Sequence, residues 1–372
     1  MSQPTRPSLA TVAKAVGVSR TVVYTVLNGR EGKGVFVSEK TRDRVLQTAK
    51  ELGYVAPKSA KELFSGRSDT IGVLVHDLVP PFSDLVHHLL VEAKKHGLEV
   101  MPYVTGADPA AEEQYLSQSR DGRVDAMIAI AVVDGSPERY LRFATTPPQQ
   151  KILAYCEPLP GISTVHFDEA AAGRLAARHL LERCRQRLAY FGGHSNFVRD
   201  AAFMAYAQEY GKNAPERFIP ASYTSEFSAL AKMAEGFLEA CPRADGVFAS
   251  NDFLAIALLS VARGRGIRVP EDLAIIGCDN IEACQYTTPR ITSIDTGRPA
   301  LAKAMIAQVV RMINGQNVGP VHVSVPVKLA LRESTGGRGL SSRRSSRAGL
   351  AQKDMVPSGD YALSGFSTRR DG

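Results

Sequence analysis

The sequence lacks a long uncharged apolar run, a secretion signal and any pattern of paired cysteines. No window approaches the ~18–20 apolar residues that span a bilayer, and residues 1–7 contain no basic start followed by an apolar core. The five cysteines are scattered and include no Cys-x-x-Cys pair, which argues against a disulfide framework or a zinc site. These absences predict a cytoplasmic protein with reduced thiols.

Motifs of common enzyme classes are missing as well. The chain has no Gly-x-Gly-x-x-Gly after its first apolar run, no phosphate loop, no Gly-x-Ser-x-Gly and no His-Glu-x-x-His. The eight histidines do not fall at metal-binding spacings. We therefore expect no catalytic residue, no metal and no cofactor, with a carboxylate acid/base enzyme as the remote alternative.

The net charge of +7 on the 372-residue chain is unevenly distributed. Residues 1–68 hold 12 Lys and Arg against 5 Asp and Glu, and residues 337–372 hold 7 against 3. The residues between them hold 26 against 30. A basic end on a mildly acidic body favours an arm that binds a polyanion and a body with a different task.

The body, from Thr70 to about Leu331, alternates apolar runs of β type with stretches of helical period. Continuous apolar strands joined by crossover helices predict parallel sheets covered on both faces. The strands are too many for one small sheet, so the expected fold class is an all-α head followed by an α/β body of two doubly wound lobes. The runs are Thr70–Val75, Leu98–Val104, Ala126–Ala131, Lys151–Tyr155, Leu188–Phe191, Gly246–Ala249 and Leu273–Gly277.

The head begins with two short helices. Ser8 is typical of a helix N-cap before Leu9–Val16, Gly17 suits the helix end, and Ser19 is a second N-cap before Arg20–Leu27. Two short helices joined by a tight glycine turn predict a helix-turn-helix, whose second helix enters the major groove of DNA. The alternative from spacing alone is a plain three-helix cap domain.

The basic charge of the head favours DNA binding, because phosphate neutralisation supplies most non-specific affinity. Arg20 and Thr21, at the start of the second helix, are best placed for base edges, and an arginine can grip guanine O6 and N7. Ser19 and the first amides suit phosphate. A third helix from Ser38 should pack behind this pair. The candidate DNA-binding residues of the head are Ser19, Arg20, Thr21, Tyr24, Thr25 and Asn28.

Four segments of the head stand in a distinctive order: Ser8–Arg20 (SLATVAKAVGVSR), Val26–Gly29, Val37–Thr41 and Leu52–Tyr54. With these segments, the chain resembles the lactose/galactose repressor family of bacterial transcription factors. The resemblance extends through the body to about Glu333. The resemblance implies a homodimer, with a tetramer as the alternative, whose heads read a near-palindromic operator. It also implies a body like the periplasmic sugar-binding proteins, with two lobes that close on a small effector.

The head departs from the usual family pattern at three points. Tyr24 and Thr25 stand where the family often has Ser-Arg, Val22 replaces a frequent threonine, and residues 30–36 lengthen the loop before the third helix. These departures bear on the operator sequence and leave the docking of the helix in the groove unchanged.

The bridge between head and body covers residues 57–68. It has room for about two helical turns, which is too short for a stable isolated helix in water, so a flexible linker is one interpretation. The resemblance implies instead a hinge helix that orders on DNA and inserts an apolar wedge, here Leu63, into the minor groove. Ala60 and Leu63 are the candidate DNA contacts of the bridge, although Ala56-Pro57 replaces the usual Pro-Asn.

The resemblance also gives the domain division. Each lobe should be discontinuous in sequence, with crossings near Thr164, Ile294 and Ser324. The expected parts are a head at 1–56, a hinge at 57–68, a two-lobed effector-binding and dimerisation domain at 69–335 (lobe one about 69–164 and 295–324, lobe two about 165–294 and 325–335) and a disordered basic tail at 336–372.

The effector cleft should lie outside the carboxyl ends of the strands, where open α/β sheets bind ligands. Carboxylates, an amide and an arginine around aromatic rings suit a sugar or polyol, although a lone Asp after a strand equally suits a helix N-cap, the role expected of Asp252. Cys156-Glu157 stands where the family often has Asp-Arg, which favours a neutral or cationic effector; a purine or an amino-acid-like effector is also compatible. The candidates are Asp77, Phe82, Glu157, Asp168, Arg199, Asn251 and Asp279.

The predicted function is a sequence-specific DNA-binding transcriptional regulator, in the first instance a repressor whose operator affinity a small effector changes. The partners are operator DNA, the effector and a second copy of the chain, and the location is the cytoplasm, at the nucleoid. An activator and a corepressor-type regulator are the nearest alternatives, and a solute-binding protein or an enzyme on the same body is more remote.

Overall fold

The computed structural model describes residues 7–27, 36–54, 67–106, 108–130, 138–145, 147, 149–192, 198–220, 226–316 and 319–336. Its helices are α1 Leu9–Val16, α2 Arg20–Leu27, α3 Glu39–Glu51, α4 Phe82–Lys95, α5 Pro109–Gln118, α6 Glu138–Thr145, α7 Glu169–Glu182, α8 Val198–Tyr210, α9 Phe227–Ala240, α10 Asp252–Gly264 and α11 Arg298–Ile313. Its strands are β1 Thr70–Val75, β2 Glu99–Val104, β3 Ala126–Ala129, β4 Ile152–Ala154, β5 Ser163–Phe167, β6 Leu188–Phe191, β7 Glu216–Phe218, β8 Gly246–Ala249, β9 Ala274–Cys278, β10 Thr292–Asp295, β11 His322–Val325 and β12 Lys328–Ala330.

The head is the predicted three-helix unit. Ser8 caps α1 by accepting a hydrogen bond from the Thr11 amide, and Gly17 takes the left-handed conformation, φ 76°, that turns the chain into α2. A small core of valines and alanines, including Val12, Val23 and Val45, holds the three helices together. The head can therefore present the start of α2 on a fixed support.

The body contains two six-stranded sheets, as far as the described residues extend. The first sheet has the order β11-β5-β4-β3-β1-β2 and is parallel throughout. The second has the order β12-β10-β9-β8-β6-β7 and is parallel except for β12, which runs antiparallel to β10. Strands β1, β3, β8 and β9 are buried along their whole length, as continuous apolar runs require. The predicted fold class is confirmed.

The chain passes between the sheets at three places. It leaves the first sheet after β5, returns after β10 and divides its last two strands, β11 and β12, between the sheets. Because Ser163–Phe167 lies wholly in the first sheet, the expected first crossing near Thr164 is wrong by a few residues and falls after Phe167. An apolar run does not reveal which sheet its last residues join.

The lobe built on the first sheet carries an exposed apolar patch, which we call the lobe-one patch: Leu90 and Val91 on α4 and Met101 and Val104 on the edge strand β2. Each of the four side chains is between 43% and 48% exposed. α4 and β2 lie next to each other, and exposed apolar side chains on adjacent elements are candidates for an interaction surface. Among the described helices, none combines the length and apolarity needed to traverse a bilayer.

Several predictions fall outside the described residues. These are Asn28, Ala60, Leu63, most of the 57–68 bridge, the 30–35 loop and the tail beyond Gly336.

Candidate functional site

The start of α2 is the exposed part of the recognition helix. Ser19, Arg20 and Thr21 are all exposed. The Ser19 hydroxyl oxygen accepts a hydrogen bond from the Val22 amide at 3.3 Å, so it caps the helix. The Arg20 and Thr21 side chains stand beside the positive end of the helix, the arrangement that DNA-reading helices use for bases and phosphates.

Two predicted DNA contacts on α2 do not face outward. Thr25 is only 7% exposed, so its assignment as a DNA-facing residue is wrong. It lies three residues after Val22, which packs against the head core, and this helical spacing places Thr25 on the same side of α2. The hydroxyl oxygen of Tyr24 is also buried, so Tyr24 offers no polar group to a base in this arrangement.

The body brings together charged and aromatic residues where the carboxyl ends of β4, β5 and β9 meet. We call Tyr155, Phe167, Glu169, Arg199 and Asp279 the cleft cluster. Arg199, in the first turn of α8, is 9% exposed. Its Nε lies 3.0 Å from Glu169 Oε2, and its guanidinium carbon lies 5.6 Å from the centre of the Phe167 ring. Glu169 and Phe167 thus fix the arginine in place.

A buried sulfur completes the surroundings of Arg199. Its Nη1 donates to Cys278 Sγ at 3.1 Å, and Cys278 is the last residue of β9. The guanidinium is therefore occupied on two sides before any ligand enters.

Asp279 follows β9 directly and is the least satisfied member of the cleft cluster. Its carboxylate accepts no hydrogen bond from the described part of the chain, although its amide donates to the Ile294 carbonyl at 2.9 Å. Burial raises the pKa of Asp279, and the nearby charge of Asp252 raises it further. Tyr155, from the other lobe, lies within reach of this charge: burial first and Asp279 second raise the pKa of its hydroxyl. Asp279 is thus a candidate to meet a ligand between the lobes.

Two of the predicted effector residues serve as helix caps. Asp168 Oδ1 accepts from the Ala171 amide at 2.7 Å and caps α7. Asn251 Oδ1 accepts from the Leu254 amide at 2.9 Å and caps α10. One side-chain oxygen of each residue is therefore committed to the protein itself.

The expected cap of α10, Asp252, has a different role. It is the first residue of the helix, 1% exposed, and its carboxylate accepts from the Ser293 hydroxyl at 2.6 Å and the Ile281 amide at 2.8 Å. The prediction is wrong because the helix begins at Asp252 itself, one residue earlier than the cap assignment requires, and Asn251 is the cap. Asp252 joins α10 to β10 and to the segment after Asp279.

The remaining candidates lie on the lobe of the first sheet. Asp77 Oδ1 accepts from the Val79 amide at 3.1 Å, and Phe82 begins α4 and packs against the main core. Glu157 Oε1 lies 3.3 Å from His166 Nδ1. Burial lowers the pKa of His166, but the Glu157 carboxylate outweighs it and leaves that pKa above its ordinary value.

Sequence reasoning missed Tyr155, Glu169, Cys278 and Arg298. Tyr155 and Cys278 end or follow apolar runs, so the strand-end rule that selected Asp279 could have selected them. Glu169 follows a predicted cap residue. Arg298 begins a helix after Gly297 and gives no local signal, because its partners at Asp84, Asp279 and Asn280 are distant in sequence.

A cavity of about 270 Å³ lies elsewhere, between α7, Tyr206 and Val327. It shares no residue with the cleft cluster, and we assign it no part in the site.

Comparison with known proteins identifies both parts of the chain. The profile of bacterial regulatory proteins of the lacI family matches residues 8–56, and that of the periplasmic binding protein-like domain matches residues 178–335. The chain belongs to the LacI family. LacI-family proteins are DNA-binding transcriptional regulators and not enzymes, and this chain is one of them.

Individual LacI-family proteins match over nearly their full length. The transcriptional regulator CelR of Thermobifida fusca is 28% identical over 90% of this chain and 100% of its own. A solved CelR–cellobiose complex is 25% identical with a TM-score of 0.63 and covers 88% of this chain and 100% of that one. The lac repressor dimer bound to operator and an anti-inducer is 23% identical with a TM-score of 0.76 over 89% of this chain and 99% of that one. At 23% identity, the similarity to the lac repressor shows the fold alone.

Proposed function

We propose that the protein is a dimeric repressor that binds an operator through its heads and changes its operator affinity when a sugar or sugar-like effector enters the cleft between the lobes. The observation that carries the effector part is the cleft cluster, in which Arg199 and Asp279 of one lobe meet Tyr155 of the other beside an aromatic ring. Polar groups around an aromatic face are what a hydroxylated ring requires.

On the DNA side, Arg20 is the residue proposed to read a base and Thr21 the residue proposed to assist it. Both are exposed at the start of α2. Ser19 contributes through the helix start that it caps, whose free amides suit a phosphate. The hinge contacts at Ala60 and Leu63 remain part of this proposal.

The charges of the cleft favour a neutral or amine-bearing effector over an acidic one. Arg199 is neutralised by Glu169 at 3.0 Å, and the carboxylate of Asp279 accepts no hydrogen bond from the described residues. An anionic ligand would therefore find its nearest arginine already paired, and the Asp279 carboxyl, whose pKa burial raises to about 8, offers it no positive charge. Cellobiose, seen with the related CelR, is the first neutral ligand to try.

The lobe-one patch is the proposed dimer face. It is apolar and exposed on α4 and β2, and a two-fold pair of heads requires a self-complementary contact of this kind. The family works in the cytoplasm, and we propose that this protein is bound to the nucleoid there.

The test is fluorescence anisotropy with a labelled duplex that carries the palindrome upstream of the protein's own gene or its neighbours. The wild-type protein should bind that duplex far more tightly than a scrambled one at the same salt concentration, and Arg20→Ala should lose most of the difference. A panel of neutral, amino and phosphorylated sugars, cellobiose included, is then added.

A fall in operator affinity with a neutral or amino sugar supports the repressor proposal. A rise identifies a corepressor-type regulator. Equal binding of palindromic and scrambled duplexes would exclude the operator-specific function. A response confined to the phosphorylated sugars would contradict the charge argument while leaving the operator function intact.

A further inference from the structure

The chain makes a strained turn directly after β9. Asp279 and Asn280 both have positive φ, 107° and 53°, a region that residues with a side chain rarely adopt and that costs free energy. We call these two residues the 279–280 bend. Their amides donate to the Ile294 carbonyl and to the Ser293 hydroxyl, each at 2.9 Å, so the bend is anchored to β10 on its amide side.

Two arginines hold the other side of the bend. Arg332 Nη2 donates to the Asn280 side-chain oxygen at 2.5 Å and its Nη1 to the Ile291 carbonyl at 2.6 Å. This anchor stays within the lobe of the second sheet, because Arg332 follows β12. Arg298 donates to the backbone carbonyls instead: Nη1 to Asp279 and Nη2 to Asn280, the latter at 3.1 Å.

The hydrogen bonds from Arg298 cross between the lobes. Arg298 opens α11, which packs on α4 and on strands of the first sheet, whereas the bend belongs to the second sheet. The side chain of Arg298 is 13% exposed, and its Nη2 lies 3.6 Å from Asp84 Oδ2 in the first turn of α4. A carboxylate at this distance fixes the direction of the guanidinium and partly balances its charge.

We propose that Arg298 is a positioning residue of the effector cleft: it ties the bend that presents Asp279 to the lobe of the first sheet, and Asp84 orients it. This inference rests on the proposed function, in which Asp279 meets the effector. A ligand that moves the bend would then act through Arg298 on α4, the helix that carries half of the lobe-one patch. The effector site and the dimer face would be connected through one side chain.

Hydrogen–deuterium exchange on the full-length, ligand-free protein tests this. Arg298→Gln should speed exchange of the amides of the 279–280 bend by about tenfold or more, since two hydrogen bonds from a charged donor are weakened. It should also speed exchange in the first turn of α4. Asp84→Asn should have a smaller effect in the same direction and add nothing in the Arg298→Gln background, because Asp84 acts through Arg298.

Two controls separate this role from general stability. Glu92→Gln removes an ion pair with Lys95 on the same helix α4, and it should leave the bend unchanged. Arg332→Gln should loosen the bend without affecting α4, because its anchor lies inside one lobe. Exchange in the strands distant from the bend and the thermal midpoint are followed in every variant.

Wild-type exchange at the bend in Arg298→Gln would overturn the proposal. So would an unchanged α4, equal effects of Asp84→Asn in both backgrounds, or a uniform rise across both sheets. Operator binding by the same wild-type preparation keeps the two ideas apart: if the wild type binds no operator, the proposed function fails whatever the exchange shows. If it binds operator and the bend does not respond, only the role of Arg298 fails.

Discussion

Replacing Asp279 by Asn should stabilise the protein and at the same time abolish its response to effector. Asp279 is partly buried, its carboxylate accepts no hydrogen bond from the described residues, and burial raises its pKa. The positive charges of Arg199 and Arg298 lower the pKa of Asp279, but by less than burial raises it. An amide of the same shape carries no charge to bury, so its cost in the folded state is lower.

The magnitude follows from linkage between protonation and folding. Each unit by which folding raises the pKa costs about 1.4 kcal/mol of stability at a pH above the folded value. A rise of one unit alone would give Asp279→Asn a thermal midpoint higher by roughly 3 °C for a domain of this size. The folded pKa lies above the unfolded one, so the wild type regains this stability as the pH falls. Because the folded pKa is raised to about 8, the advantage of the variant should shrink as the pH falls below about 8 and close near about pH 4, the unfolded value.

Thermal and urea unfolding of both proteins at pH 8, 6.5 and 5 measure this difference, and Asp252→Asn is the matched control. Asp252 is also buried with a pKa raised by burial to about 6, yet its oxygens accept two hydrogen bonds. An amide there would leave the Ile281 amide or the Ser293 hydroxyl unsatisfied, so Asp252→Asn should destabilise. If Asp279→Asn destabilises at pH 8 as much as at pH 5, the carboxylate is satisfied in the fold and the reasoning fails.

Three further predictions concern the head, the dimer and acid stability. Arg20→Ala should weaken operator binding by at least about tenfold and relax the preference at one base pair, whereas Thr25→Val should stay within about twofold because Thr25 is buried; anisotropy at fixed salt compares them, and equal losses would return Thr25 to the interface. Met101→Asp should shift the protein from dimer to monomer in sedimentation velocity, and an unchanged dimer would place the contact elsewhere. Burial lowers the pKa of His179 to about 4, and its Nε2 lies 2.9 Å from Thr335 Oγ1. Its stabilising contribution is therefore present above pH 6.5 and lost towards pH 4, so wild type should lose urea stability over that interval more steeply than His179→Gln, and parallel curves would contradict this.

The fold followed from the sequence because its signals are local and repeated. A strand buried on both faces, such as Thr70–Val75, must be continuously apolar, and a short helix must be capped, as Ser8 caps α1. The head and the two lobes follow from such elements in order. The crossing after Phe167 was misplaced because the sheet to which a residue belongs depends on a distant strand, here β11.

The cleft was predictable only in part. The strand-end rule selects polar residues at the correct edge of the sheet, and Arg199 and Asp279 do come together there. The rule does not decide whether a residue caps a helix or faces the cleft, because that depends on where the helix begins. A shift of one residue moved the cap from Asp252 to Asn251. The assignment of Thr25 was wrong for a related reason: the way in which α2 packs on the head core, with Val22 against that core, determines which side of the helix is exposed.

The distribution of charge differs between the DNA-binding head and the effector cleft, and it favours a different kind of ligand at each. The head keeps an uncompensated positive charge, with Arg20 exposed at a helix start, and a polyanion such as DNA gains affinity from every phosphate it neutralises there. In the cleft Arg199 is instead paired with Glu169 inside the protein, so the arginine nearest to a ligand is already neutralised. A phosphorylated ligand in the cleft would have to break that pair or lie beside a carboxylate, and either choice costs free energy. A neutral sugar avoids both costs.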